Sequence, residues 1–84
     1  MMRQLWSKPV TVETSKPGQR LTITNTEAAT YYLLRGWPVK THGSAYKTAK
    51  RTLIRAHEGH SGALAARTAF LAAIEESDIE IFDA

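Results

Sequence analysis

Lys8-Pro9-Val10-Thr11-Val12-Glu13-Thr14-Ser15-Lys16-Pro17-Gly18-Gln19-Arg20-Leu21-Thr22-Ile23-Thr24-Asn25 alternates apolar and polar residues twice, on either side of a turn. A period of two with β-branched residues is the mark of a half-buried strand. Residues 8–14 put Val10 and Val12 on one face, and residues 20–25 do the same with Leu21 and Ile23. Pro9 has no N–H to give a ladder, which points to an edge or to the start of a strand. Between the strands, Pro17 fixes its own φ and Gly18 supplies the positive φ of a type II turn. The pair reads as a β-hairpin. Asp78-Ile79-Glu80-Ile81-Phe82 alternates once more, which predicts a third strand over 78–82. A lone strand cannot bury its apolar face, so it is expected to rejoin the hairpin, beside the first strand.

The intervening chain reads as three helices. Thr24-Asn25-Thr26-Glu27 supplies N-cap oxygens, with Thr24 and Glu27 at capping-box spacing. A helix over 26–35 carries Ala29 and Leu33 four apart and is expected to stop at Gly36 acting as a C′ glycine. Trp37-Pro38-Val39 cannot continue it, and Trp37 is expected to fold back as a core plug. Gly43-Ser44 opens a second helix over 44–57, with Ser44 where its N-cap belongs, Ala45, Tyr46, Ala49, Leu53 and Ala56 on one arc and Lys47, Arg51 and Arg55 opposite. Ser61 is the expected N-cap of a third, alanine-rich helix over 62–76. Its inward stripe reads Ala63, Leu64, Phe70, Leu71 and Ile74. The fold class is therefore α+β, β-β-α-α-α-β: a three-stranded, mainly antiparallel sheet with helices packed on one face. Val10, Val12, Leu21, Ile23, Leu33, Trp37, Leu53, Phe70, Ile74, Ile79 and Ile81 form the expected core.

Eighty-four residues, 43% of them hydrophobic and 23% charged, suit one small domain over 1–84 with an ordered core of about 6–82. The apolar residues are too many for a disordered chain and too scattered for a membrane span. With no cysteine there is no disulfide framework, thiolate nucleophile or Cys-ligated zinc. The start, Met1-Met2-Arg3-Gln4-Leu5-Trp6, lacks the apolar run of a secretory leader, so a cytoplasmic location is the expectation. Charge is uneven. Residues 1–55 hold ten of the eleven Lys/Arg and two of the eight acids, a net +8, whereas residues 56–84 come to −5. Such halves attract one another within a chain or across a homodimer, and they also suit a nucleic-acid face.

Glu27-Ala28-Ala29, Leu33-Leu34, Trp37-Pro38, Gly43 with Ala45-Tyr46, Ala49, and Ala66-Arg67-Thr68-Ala69-Phe70 with Ala72-Ala73 make a recognisable set. In these residues the chain resembles the small alphaproteobacterial family of uncharacterised proteins catalogued as domain of unknown function 982, from about Val10 to Ile81. The family's members often carry a cysteine near the position of Thr52, where this chain departs from them. The resemblance implies the fold and no activity, cofactor or partner.

Candidate chemistry is sparse. Arg67 falls within the apolar stripe of the third helix, where an unpaired guanidinium is strongly unfavourable. It either snorkels to the stripe's edge or pairs with Glu27, Glu13 or Glu80, or it faces an anion at the bottom of a pocket near Trp37. Arg67, Trp37 and Tyr46 are the candidate ligand- or partner-binding residues. Lys47, Arg51 and Arg55, four apart, with Lys50 beside them, form a stripe able to touch successive phosphates. Neither interleaved aromatics for stacking nor side chains placed to read bases accompany it. His57-Glu58-Gly59-His60 spaces its histidines by three, not the four that set two imidazoles on one helical face, and His42 stands apart. No metal or cofactor is implied. Glu75, Glu76, Asp78, Glu80 and Asp83 read as a solvated acidic rim, and no nucleophile elbow or phosphate-cradling loop occurs. The expectation is a small non-catalytic binding or regulatory module acting through protein or small-ligand contacts. Homodimerisation through open sheet edges is part of it, and a phosphate-contacting nucleic-acid binder is the alternative.

Overall fold

A computed structural model describes residues 4–40 and 42–83, so the reading of the Met1-Met2-Arg3 start lies outside the described residues. The hairpin strands are β1 (Leu5–Glu13) and β2 (Arg20–Asn25), antiparallel, with Val10 opposite Ile23 and Val12 opposite Leu21. Gly18 adopts φ +80°, and the Gln19 N–H donates to the Lys16 carbonyl at 3.1 Å, which closes the type II turn. Three helices follow: α1 (Thr26–Arg35), α2 (Ser44–His57) and α3 (Ala63–Glu76). The chain ends with β3 (Ile81–Asp83), antiparallel to β1, so that the strand order is β2-β1-β3. Val10, Val12 and Ile23 are fully buried under the helices, while Thr22 and Thr24 on the opposite face are exposed. The third strand thus lies beside the first. No helix among the described residues is long and apolar enough to cross a membrane.

Several details differ from the sequence reading, each for a local reason. β1 begins at Leu5 and is central in the sheet despite Pro9. The ladder to β2 changes register between Leu5 and Val10, and β3 reaches only Thr11 and Val12, so the missing proline N–H falls where no partner awaits it. β3 starts at Ile81, not 78, because residues 77–79 finish α3. Asp78 takes φ +59°, its N–H donates to Glu75 O, and the Ile79 N–H reaches back to Ile74 O at 3.2 Å, a Schellman cap. The same cap closes α2 at Gly59, φ +86°. Gly36, by contrast, sits at φ −118°, outside the left-handed region. A Cβ there would meet the Tyr32 ring at 3.4 Å. Leu21 stays 40% exposed, because it lies on the edge strand next to the hairpin turn.

Helix starts are also capped differently from the expectation. Asn25, not Thr24, caps α1: its Oδ1 accepts the Ala28 N–H at 2.7 Å. Gly43 and Gly62 occupy the N-cap positions of α2 and α3, which places Ser44 inside α2 and Ser61 before the α3 cap. Glu76, read as part of a solvated rim, supplies the missing cap of α2. Its carboxylate accepts the Ala45 N–H at 3.1 Å and the Tyr46 N–H at 3.2 Å, and the Ser44 hydroxyl donates to it at 3.4 Å. A carboxylate at a helix N-terminus satisfies orphan donors and meets the positive end of the helix dipole.

The core is built around five aromatic rings. Trp6 packs on Phe70, and Trp37 stands edge-on to Tyr32, Tyr46 and Phe70 at centroid distances of 5.2–6.4 Å. Such tilted arrangements suit the ring quadrupoles. Tyr32 donates its hydroxyl to Glu13 O at 2.6 Å and Tyr46 donates to Leu33 O at 2.9 Å, so each polar tip is satisfied at an end of its neighbour element. Buried Thr26 accepts from Trp6 Nε1 at 3.1 Å and donates to Gln4 Oε1 at 2.8 Å. The Gln4 amide in turn donates to Ser61 O, which ties β1, α1 and the α2–α3 loop together. Ala49 and Ala56 of α2 and Ala66 and Ala73 of α3 are buried, small side chains that allow the two helices to pack closely.

Candidate functional site

Leu33, near the end of α1, accepts from Tyr46 in the first turn of α2, while Glu27, in the first turn of α1, lies 3.9 Å from His57 in the last turn of α2. The two helices therefore run antiparallel. Their outer face carries an open recess of about 240 Å³ lined by Glu27, Thr30, Tyr31, Leu34, Arg35 and His57. Tyr31 is 67% exposed and Leu34 is 47% exposed, three residues apart and hence neighbours on the helix surface. Tyr32 and Leu33 of α1 are buried, Tyr32 with its hydroxyl on β1, whereas Tyr31 and Leu34 are apolar residues left exposed outside the core.

Helical spacing at 100° per residue places His57 and Lys50 on the α1 side of α2, then exposed Ile54, then the row Lys47, Arg51 and Arg55. All four candidate cations are exposed, and among the described residues none of them lies within ion-pair distance of a carboxylate. The basic row thus lies beyond Lys50 and Ile54 from the recess, whose own lining carries Arg35 and His57. Glu27 Oε1 is buried without a hydrogen-bond partner among the described residues, and its other oxygen faces His57 Nδ1.

Arg67, Trp37 and Tyr46 are not gathered into one cavity. Arg67 is half-buried, and its Nε donates to the Lys8 carbonyl at 3.0 Å, not to Glu27, Glu13 or Glu80. It lines a recess of about 230 Å³ with Leu5, Trp6, Ser7, Ala63 and Leu64, on the Trp6 side of Phe70. Trp37 lies on the other side of the core, half-buried among rings, its indole N–H buried and without a hydrogen-bond partner among the described residues. Tyr46 is buried, with its hydroxyl on Leu33 O. Burial pushes the ionisation of both Tyr46 and Tyr32 upward, and at Tyr32 the nearby Glu13 charge adds to it. His42 stacks on Tyr46 with centroids 3.8 Å apart. Among the described residues no three His, Asp or Glu side chains converge in a metal-binding group.

The sequence reading overlooked Tyr31 and Leu34 as surface residues, although both lie off the Ala29–Leu33 arc. Leu64 reads as part of the inward stripe of α3, yet it is 77% exposed. The buried arc of α3 is centred on Phe70 with Ala66 and Ala73, because the alanines admit α2, and this rotates Leu64 out. The cation row on α2 was legible from spacing alone.

Comparison with curated proteins and with solved structures finds no match. The chain matches a family model over residues 8–81, from within β1 to the start of β3, and on that match it belongs to the family described as Protein of unknown function (DUF982).

Proposed function

We propose that this chain is a small non-catalytic docking module whose α1–α2 face receives an acidic partner protein. The observation that carries the reading is an exposed apolar recess, built on Tyr31 and Leu34 and lined by Arg35 and His57, with a row of cations lacking carboxylate partners among the described residues further round α2, past exposed Ile54. An apolar anchor from the partner enters the recess, and carboxylates around it meet Lys47, Lys50, Arg51 and Arg55. Exposed apolar side chains rimmed by charge are the usual anatomy of such a surface. The outer edge of β2 is unpaired within the sheet and would accept a second copy by strand addition.

Differential capture tests the docking reading. The wild-type chain, a Tyr31→Ser/Leu34→Ser variant and a Lys47→Glu/Arg51→Glu variant are each used as bait in extracts of the source cells. A protein retained by the wild type and lost from both variants supports the reading; a protein retained by all three refutes it. The alternative, contact with nucleic-acid phosphates, rests on the same four cations. Binding of labelled RNA or duplex DNA that falls steeply with salt and survives Tyr31→Ser/Leu34→Ser would favour it instead.

A further inference from the structure

The two most exposed large apolar side chains among the described residues, Leu64 at 77% and Leu5 at 69%, both line the recess that holds Arg67. We propose that this recess, between the start of β1 and the first turns of α3, binds a small organic monocarboxylate with an apolar body. The inference is independent of the docking face. Leu5, Trp6, Ala63 and Leu64 give the recess apolar walls, and Arg67 is the one charged residue in its lining among the described residues. A guanidinium carries five N–H donors in a planar fork. The Arg67 Nε–H is committed to Lys8 O, which fixes the plane of the group, and no carboxylate among the described residues lies within ion-pair distance of it. The Nη donors are therefore left for a planar anion, which a carboxylate matches with two parallel hydrogen bonds.

Charge and size narrow the class further. A phosphate monoester carries nearly two charges and would call for a second cation, which the lining does not provide among the described residues. A volume of about 230 Å³ equals roughly eight water-sized groups, and the recess is open on one side, so an acid of about six to eight carbons suits it. Octanoate is the matching probe, with octanamide as its neutral isostere.

Backbone amide shifts of the full chain, titrated with each probe, test the assignment. Saturable shifts at Leu5, Ser7, Leu64 and Arg67 with octanoate, and at least about tenfold weaker binding of octanamide, are expected. Arg67→Met should bring octanoate down to the octanamide level. Leu64→Glu alters an exposed position and sets a competing carboxylate before the guanidinium, so it should abolish octanoate binding while the protein stays folded, and it decides the matter if Arg67→Met does not fold. Equal binding of the two probes, shifts centred elsewhere, no saturable shift at millimolar octanoate, or undiminished binding by Leu64→Glu would each overturn the proposal.

Discussion

Replacing Gly43 by Ala should cost this protein for the same reason as replacing Glu76 by Ala, and the double variant should cost little more than either alone. A Cβ on Gly43 would lie 2.5 Å from Glu76 Cδ and Oε1, a distance no real contact sustains. The carboxylate has to swing away, and it then no longer accepts the Ala45 and Tyr46 N–H groups. An N-cap interaction is worth about 1 kcal/mol and a carboxylate on the helix dipole about 0.3–1 kcal/mol. Loss of the cap therefore amounts to about 1–2 kcal/mol, or a melting temperature lower by roughly 5–15 °C in a domain of this size. Any intrinsic effect of Gly→Ala on the backbone occurs in both backgrounds and cancels in a double-mutant cycle. The cycle should thus return a coupling of about 1–2 kcal/mol between positions 43 and 76. Urea unfolding of the four proteins, followed by circular dichroism, measures it, with Glu75→Ala as a control expected to stay within about 0.5 kcal/mol of wild type. Additive costs, or a Glu76→Ala variant no less stable than Glu75→Ala, would refute the capping role.

Three further outcomes follow from the same geometry. Burial raises Tyr32 and Tyr46 above the ordinary tyrosine value near 10, so the unfolded chain releases these protons first. Stability should be full below about pH 10 and fall as pH rises beyond it, by at most about 1.4 kcal/mol per pH unit for each tyrosine. Tyr32→Phe and Tyr46→Phe should each flatten that fall while costing about 1–2 kcal/mol at neutral pH, which urea melts across pH would show. Thr26→Val removes the acceptor of the Trp6 indole and the donor to Gln4, and should lower stability by about 1–3 kcal/mol in thermal melts. Asp78→Gly relieves a left-handed residue at the end of α3 and should raise stability by up to about 1 kcal/mol; Gly59→Ala at the equivalent position of α2 should lower it by about 1 kcal/mol.

The parts of this structure that follow from periodicity were readable in advance, and the parts that depend on which neighbour arrives were not. Val10, Val12, Ile23 and the Pro17-Gly18 turn are local signals, and they fold as they read. Leu21 has the same signal as Ile23 but stands where the helices do not reach, and only the third dimension shows that. Ser44 and Ser61 looked like caps because serine is chemically suited to the task. A glutamate thirty-two residues beyond Ser44 caps α2 instead, an outcome of the packing of α3 that no local pattern encodes. Of the site, the cations of α2 were evident from spacing of four. The apolar recess of the α1–α2 face was not, because Tyr31 and Leu34 are ordinary helix residues until one sees that they are left exposed outside the core. Arg67 stands out in the sequence as a cation within an apolar stripe, but its partner is a backbone carbonyl, a group that residue patterns never display.

Site-specific photo-crosslinking in the source cells bears most directly on the docking face. A photoreactive phenylalanine analogue is placed at Tyr31 in one strain and at Thr22, on the open face of the sheet, in another. Irradiation should join the chain to a second protein from position 31 and leave position 22 without an adduct. An adduct from Thr22 with none from Tyr31 would place the interaction on the sheet and overturn the assignment of the α1–α2 face.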